Sequence, residues 1–296
     1  MKKFLLSTLS LLILSSTIFA LEIKDDKIVD PQGNAIEKKK YNKIVLTDPA
    51  FVEMFYLIGG EETISAIGKT TRSQIHPVEK TEKLPSIGTI TKPNLEEIIA
   101  LEPDLVIINT MTSGIVDSLK KVNIPVIQTQ ANSINDILNN INIAGILTGQ
   151  EENATKLYNE SKAKVEKLRD DHKDKPKIKG VVLFSTSPMM TFSAKSLPGE
   201  ILELLAVDNL AKDVTGDRPI ISNEFLIAEN PDFVAGAMSF KSADEIKNSN
   251  PALAETKAFK NNNIFIIDSN KILRGSPRIF EALEEFSTEL SNLKLD

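Results

Sequence analysis

Two histidines, His76 and His172, and no cysteine limit the metal and acid–base chemistry open to this chain. Without a thiolate there is no cysteine nucleophile, no disulfide framework and no sulfur-based zinc site. No Gly-x-Ser-x-Gly elbow, Walker loop or His-Glu-x-x-His pair occurs, and neither histidine stands in a Ser or Asp constellation. A hydrolase therefore has no visible machinery, and the chain reads as a non-enzyme with no catalytic cofactor. A carrier of bare zinc or manganese would need several His and carboxylates converging on one ion, which two distant histidines do not supply. What remains are cations and thioethers outside the regular segments: Arg72, Arg218, Lys241 and Arg274, with Met111, Met189, Met190 and Met238. Fixed guanidinium groups grip anionic ligands, and a thioether offers a soft, polarisable apolar contact.

Positioning these residues requires a scaffold, and the hydrophobic pattern points to one. Short β-branched runs, Lys43–Leu46, Asp104–Ile108 and Ile124–Ile127, each followed by a turn and a helical pattern, recur later as Gly180–Phe184, Phe233–Gly236 and Asn263–Ile267. Strands alternating with helices imply βα units and mostly parallel sheets, one in each half. Between the two sets, apolar residues recur every three or four positions from Ile134 to His172, interrupted at Gly149-Gln150. Two helices are expected there, the second near Glu151 to Asp171 and ended by the charged, Pro-containing stretch Lys173 to Lys177. Periodicity alone leaves open whether that helix lies on one domain or joins two, since about 20 residues span roughly 30 Å.

Composition narrows the partners. Hydrophobic residues at 41% and charged residues at 26% are those of a globular protein with a sizeable core. A net charge of −6 lacks the basic face that nucleic-acid binding needs. The first twenty residues place Lys2 and Lys3 before an apolar run from Phe4 to Phe19 closed by Ala20, the order of a cleavable signal peptide. That run is too short for a membrane anchor. With no Cys to carry lipid, the mature chain is expected free in the periplasm, not a lipoprotein and not inserted in a membrane.

Several segments together resemble a known family. Lys43 to Gly59, then Leu84-Pro85-Ser86-Ile87-Gly88-Thr89, then Pro93-Asn94-Leu95-Glu96 running into Pro103-Asp104-Leu105-Val106-Ile107 are the most specific. Ser222-Asn223-Glu224 with Asn230-Pro231-Asp232-Phe233-Val234 echoes them, and Pro198-Gly199-Glu200 and Gly275-Ser276-Pro277-Arg278 complete the set. The chain is similar, over nearly all its mature length, to the periplasmic substrate-binding proteins of iron-siderophore, haem and vitamin B12 ABC importers. The resemblance implies an α/β fold of two Rossmann-like lobes joined by a single long rigid interdomain helix. It divides the chain into a signal peptide over 1–20, an N-terminal lobe over 21–145, the helix over 146–175 and a C-terminal lobe over 176–296. It also implies a monomer that captures an iron chelate, haem or a ferric siderophore, and delivers it to an inner-membrane permease dimer with its ATPase. A rigid connection implies little lobe motion on binding.

In such sheets ligands sit beyond the carboxyl ends of the strands. The loops there make Phe51, Arg72, His76, Met111, Met189, Met190, Arg218, Met238, Lys241 and Arg274 the candidate ligand-binding residues. His76 is the candidate axial ligand to haem iron, while His172 reads as plain surface at the end of the long helix. Met189 and Met190 fit either loop packing or a soft contact to a macrocycle. With no Trp and with Tyr41, Tyr56 and Tyr158 outside the loops, only Phe51, Phe192 and Phe240 are placed to stack, so a cobalamin or corrinoid is the alternative ligand. Glu53 and Glu200 match family positions for surface carboxylates that meet permease arginines, with Glu203 one turn away as the fallback.

Overall fold

The computed structural model describes residues 21–295; the expected signal peptide over 1–20 lies outside the described residues. Five parallel strands form the first large sheet, in the order Ser86–Thr89, Ile64–Lys69, Ile44–Leu46, Leu105–Ile108, Val126–Gln128. Four more form the second, in the order Val207–Asn209, Ile178–Leu183, Phe233–Gly236, Ile264–Ile266, again all parallel. The mixed α/β architecture read from the strand–helix alternation is the one observed.

Near-continuous apolar runs are what a parallel sheet covered on both faces requires. Alternate residues divide between the faces: Ile44, Leu46, Leu105 and Ile107 point to one cluster, Val45, Val106 and Ile108 to another. In the second sheet Val182, Phe233 and Ala235 join the first cluster, whereas Val181, Leu183 and Val234 enter a separate outer one. One apolar core therefore runs unbroken from the inner face of the first sheet to that of the second, and each sheet keeps its own outer core.

Helix Ile134–Thr148 starts in a capping box, with the Ser133 hydroxyl accepting from the Asp136 backbone and the Asp136 carboxylate answering at Ser133. It packs closely on Glu151–His172, whose 22 residues make a rod of about 33 Å. That rod touches helices Pro49–Ile58 and Ile134–Thr148 before it in sequence, and Leu197–Leu204 and Ile279–Ser291 after it. Its buried Ala154, Val165 and Leu168 belong to the shared core. An additional antiparallel sheet, Glu22–Lys24, Lys27–Val29 and Ala35–Glu37, precedes the five-stranded sheet. Asp30 ties it to the large sheet by accepting from the Gln128 backbone at 2.8 Å.

His172 is not on the surface. It is 3% exposed, with Nε2 2.7 Å from the Ser287 hydroxyl, because the last turn of the long helix is covered by helix Ile279–Ser291. Burial, with Lys175 adding to it, lowers the imidazole below its ordinary pKa. A histidine kept neutral in the folded state favours folding above its unfolded value of about 6.5, and that advantage is lost as pH falls through the lower folded value. Thermal unfolding at pH 7.5 and 5.5 should therefore show a smaller acid-induced drop in Tm for His172→Gln than for the wild type.

Packing between neighbouring strands leaves no room at Gly180. An added Cβ would lie 2.0 Å from Cε1 of Phe233, which is fully buried and stacks on Phe265 at 5.6 Å. Gly180→Ala should cost about 1–3 kcal/mol of stability, read as a lowered urea midpoint.

Candidate ligand-binding site

The strands end in loops that are tightly braced from beneath. Asp48, after strand Ile44–Leu46, caps helix Pro49–Ile58 by accepting from the Ala50 backbone at 2.8 Å, and also receives the Thr129 hydroxyl. Burial pushes its carboxyl up, and the Thr129 bond opposes that shift. Asn109, after Leu105–Ile108, is buried and donates to the carbonyls of Thr47 at 2.7 Å and Ile90 at 2.8 Å. Its own Oδ1 accepts from the Met111 backbone at 2.8 Å, which leaves the Met111 side chain 59% exposed. In the second lobe the Met238 backbone donates to the Ser269 hydroxyl at 2.6 Å, and its side chain is 58% exposed. Arg218 is exposed and lies 6.0 Å from the ring centroid of Phe184. Lys241 and Arg72 are exposed as well.

The lobes meet at a buried charge. Glu53, on helix Pro49–Ile58, is 1% exposed. Its Oε1 accepts from Arg274 Nη1 at 2.5 Å and from the His76 backbone at 3.1 Å, and its Oε2 accepts from the Ser276 hydroxyl at 2.6 Å. Arg278 Nη1 stands 3.7 Å away. Arg274 also donates to the Ser73 hydroxyl at 2.7 Å and to the Gln74 carbonyl. The neighbouring Gly275 approaches so closely that a Cβ there would sit 2.8 Å from Cβ of Ala131. A cavity of about 370 Å³ opens beside this seam, lined by Arg72, Ser73 and Gln74 of the first lobe and Asn270 of the second.

These contacts correct several of the sequence expectations. Glu53 is no surface carboxylate for a permease, since its charge is consumed inside the protein. Arg274 is likewise spent on Glu53 and is not a rim cation. Glu200 is half-buried and accepts from the Ile134 backbone at 2.8 Å, capping a first-lobe helix from the second lobe; burial raises its carboxyl. Glu203, one turn on, is exposed. Phe51, at 0% exposure, packs edge-on against Phe55, and Phe192 and Phe240 are buried at 3% and 4%, so none of the three can stack on a ligand. Met189 belongs to the outer core of the second lobe, while Met190 is half-buried with its carbonyl accepting from the Phe184 backbone. His76 is half-buried; its backbone is engaged with Glu53. Sequence reading missed Ser73, Gln74 and Ser276 as partners in the seam, because single polar residues with no pattern signal nothing until the lobes close on them.

Two parallel α/β sheets are braced across one seam. Residues 44–271 match the periplasmic binding protein family, and the chain belongs to it. These are the substrate-binding proteins of ABC importers. A cobalamin-binding protein of Halobacterium salinarum is 23% identical over 258 residues, which cover 84% of this chain and 69% of that protein. A possible iron-binding periplasmic solute-binding protein of Staphylococcus epidermidis superposes with a TM-score of 0.74 at 25% identity, covering 85% of this chain and 99% of that one. The periplasmic haem-binding protein HutB of Vibrio cholerae has the same fold, with a TM-score of 0.74 at 23% identity over 86% of this chain and 99% of that one.

Removing one member of a buried ion pair leaves the other charge uncompensated, at a cost of about 3–5 kcal/mol. Glu53→Gln should destabilise the protein by an amount of that order in urea unfolding, whereas Glu203→Gln, on an exposed side chain, should change it by less than about 0.5 kcal/mol.

Proposed function

We propose that this chain is a periplasmic receptor for an iron chelate, haem or a ferric siderophore, which it delivers as a monomer to a permease dimer and its ATPase. On this reading residues 1–20 direct export and are removed, 21–145 and 176–296 are the lobes, and 146–175 is the rigid link. No helix among the described residues is long and apolar enough to cross a membrane.

The observation that carries the proposal is that loops of both lobes keep cations and thioethers exposed: Arg72 and Met111 in one, Arg218, Lys241 and Met238 in the other. Anionic chelates suit the cations, and apolar ligand surface suits the thioethers. A chelate brings its own metal ligands; among the described residues no group of three or more His, Asp or Glu is gathered to hold a bare ion. His76 is the axial candidate for haem. Permease recognition falls to carboxylates that remain at the surface, with Glu203 replacing Glu200 on the second lobe. The second reading, a corrinoid, is favoured by the relatedness to a cobalamin-binding protein. The burial of Phe51, Phe192 and Phe240 removes the aromatic surface a corrin would press against.

Haemin added to the purified mature protein should give a shifted Soret band that is lost in His76→Ala. No shift, with a ferric siderophore retained instead in equilibrium dialysis, selects the siderophore; cobalamin retained alone overturns the iron-chelate reading.

A further inference from the structure

A loop that lines a cavity must be held in shape, and the one between strand Ile64–Lys69 and the short helix Val78–Thr81 finds little support within its own lobe. Thr71, Arg72 and Gln74 are exposed. On its own side the loop is tied by the Arg72 backbone donating to the Thr70 hydroxyl at 3.2 Å and by the Thr81 hydroxyl donating to the Ile75 carbonyl at 2.7 Å. Three further bonds converge on one ion pair. Arg274 donates to the Ser73 hydroxyl at 2.7 Å and to the Gln74 carbonyl, and the His76 backbone donates to Glu53 at 3.1 Å.

The second lobe reaches this loop through a single short segment. Between Asp268 and Ser276 it supplies Asn270 to the wall of the cavity, Arg274 to the loop and Ser276 to Oε2 of Glu53. The rest of the cavity's lining comes from the first lobe, chiefly the stretch from Thr70 to Ile75. The Arg274 side chain is 7% exposed, so it is not itself available to a ligand. A guanidinium nonetheless suits its place, because a planar fork with five donors in fixed directions can serve a carboxylate and two loop oxygens at once. An ammonium there would meet Glu53 as a point charge and lose that fixed geometry.

Resting on the proposed receptor reading, we infer that Arg274 is a positioning residue for ligand capture: from the second lobe it holds the first-lobe loop in the shape that sets Arg72 on the cavity wall. Glu53 acts through it by orienting the guanidinium. Arg72 and His76, the loop residues which that reading gives to the ligand, bracket the Ser73 and Gln74 groups that Arg274 holds. Stability and affinity then depend on Arg274 in different ways. The fold needs a positive charge against the buried carboxylate, whereas the loop needs the fork. Such coupling is reciprocal, so a ligand that fixes the loop also favours the bonds across the seam.

The test compares the mature protein with Arg274→Lys, Arg274→Gln and Ser73→Ala by urea unfolding, by amide hydrogen exchange over residues 70–76, and by equilibrium dialysis. The dialysed probes are haemin, a ferric hydroxamate and cyanocobalamin, and affinity is read with whichever of them the wild type retains. Arg274→Lys should keep the urea midpoint near that of the wild type, yet speed exchange over 70–76 about tenfold and weaken the retained probe about tenfold. Ser73→Ala leaves the ion pair intact and should weaken the probe about threefold at an unchanged midpoint. Arg274→Gln should lose both stability and affinity; where it does not fold, the other two variants carry the test. Exchange and affinity of the wild type in Arg274→Lys overturn the inference, because the fork then does nothing that a charge cannot. Faster exchange with unchanged affinity overturns it while the receptor reading stands. A loss of affinity confined to variants whose urea midpoint also falls makes Arg274 structural only and overturns it too. Retention of none of the three probes by the wild type overturns the receptor reading and the role in capture together, while the exchange data still report whether Arg274 holds the loop.

Discussion

A carboxylate taken out of water is tolerated only where its charge is met and its lone pairs are filled. Glu53 satisfies that condition with groups drawn from both halves of the chain: Arg274 and Ser276 on one side, the His76 backbone on the other. Separating the lobes would strand the Glu53 carboxylate and the Arg274 guanidinium, whose side chains are 1% and 7% exposed. The relation between the two sheets is thereby tied to one ion pair. The tight approach of Gly275 to Ala131 and the capping of Ile134 by Glu200 add neutral and charged contacts along the same seam. The long helix and the continuous inner core brace it from behind.

Such a seam holds the two lobes together through buried polar and charged contacts. A 22-residue helix packs on elements before and after it in the chain, and a buried salt bridge joins the two halves. Loops at the strand ends are braced by Asp48, Asn109 and Ser269, so the side chains they display are displayed at fixed places. Membership of the periplasmic binding protein family agrees with this design.

Much of the fold was legible because sheets buried on both faces demand apolar runs, and those runs stood out at Ile44–Leu46, Leu105–Ile108 and Phe233–Gly236. Strands Ile64–Lys69, Ser86–Thr89 and Val207–Asn209 escaped notice: Ser65, Gly68, Gly88 and Asp208 break their apolar pattern, and two of the three lie at sheet edges where polarity is tolerated. The three-stranded sheet before the five-stranded one was equally silent, its strands being three residues each. For the site, residue type was a guide to candidates but not to exposure. Arg72 and Arg274 read alike as loop arginines, yet one is exposed and the other is enclosed by a partner 221 positions away in sequence.

By itself the sequence determined the local elements and the available chemistry: parallel βα units, a helix long enough to be a strut, no catalytic constellation, and a short set of cations and thioethers after the strands. These depend on periodicity and composition, which act over a few residues. Only the tertiary structure decided which of those side chains remain available to a ligand. Burial and charge pairing are set by elements far apart in the chain, and the closing of the lobes assigned Glu53 and Arg274 to each other, took Phe51 and Met189 into the core, and left Met111 and Met238 in the open.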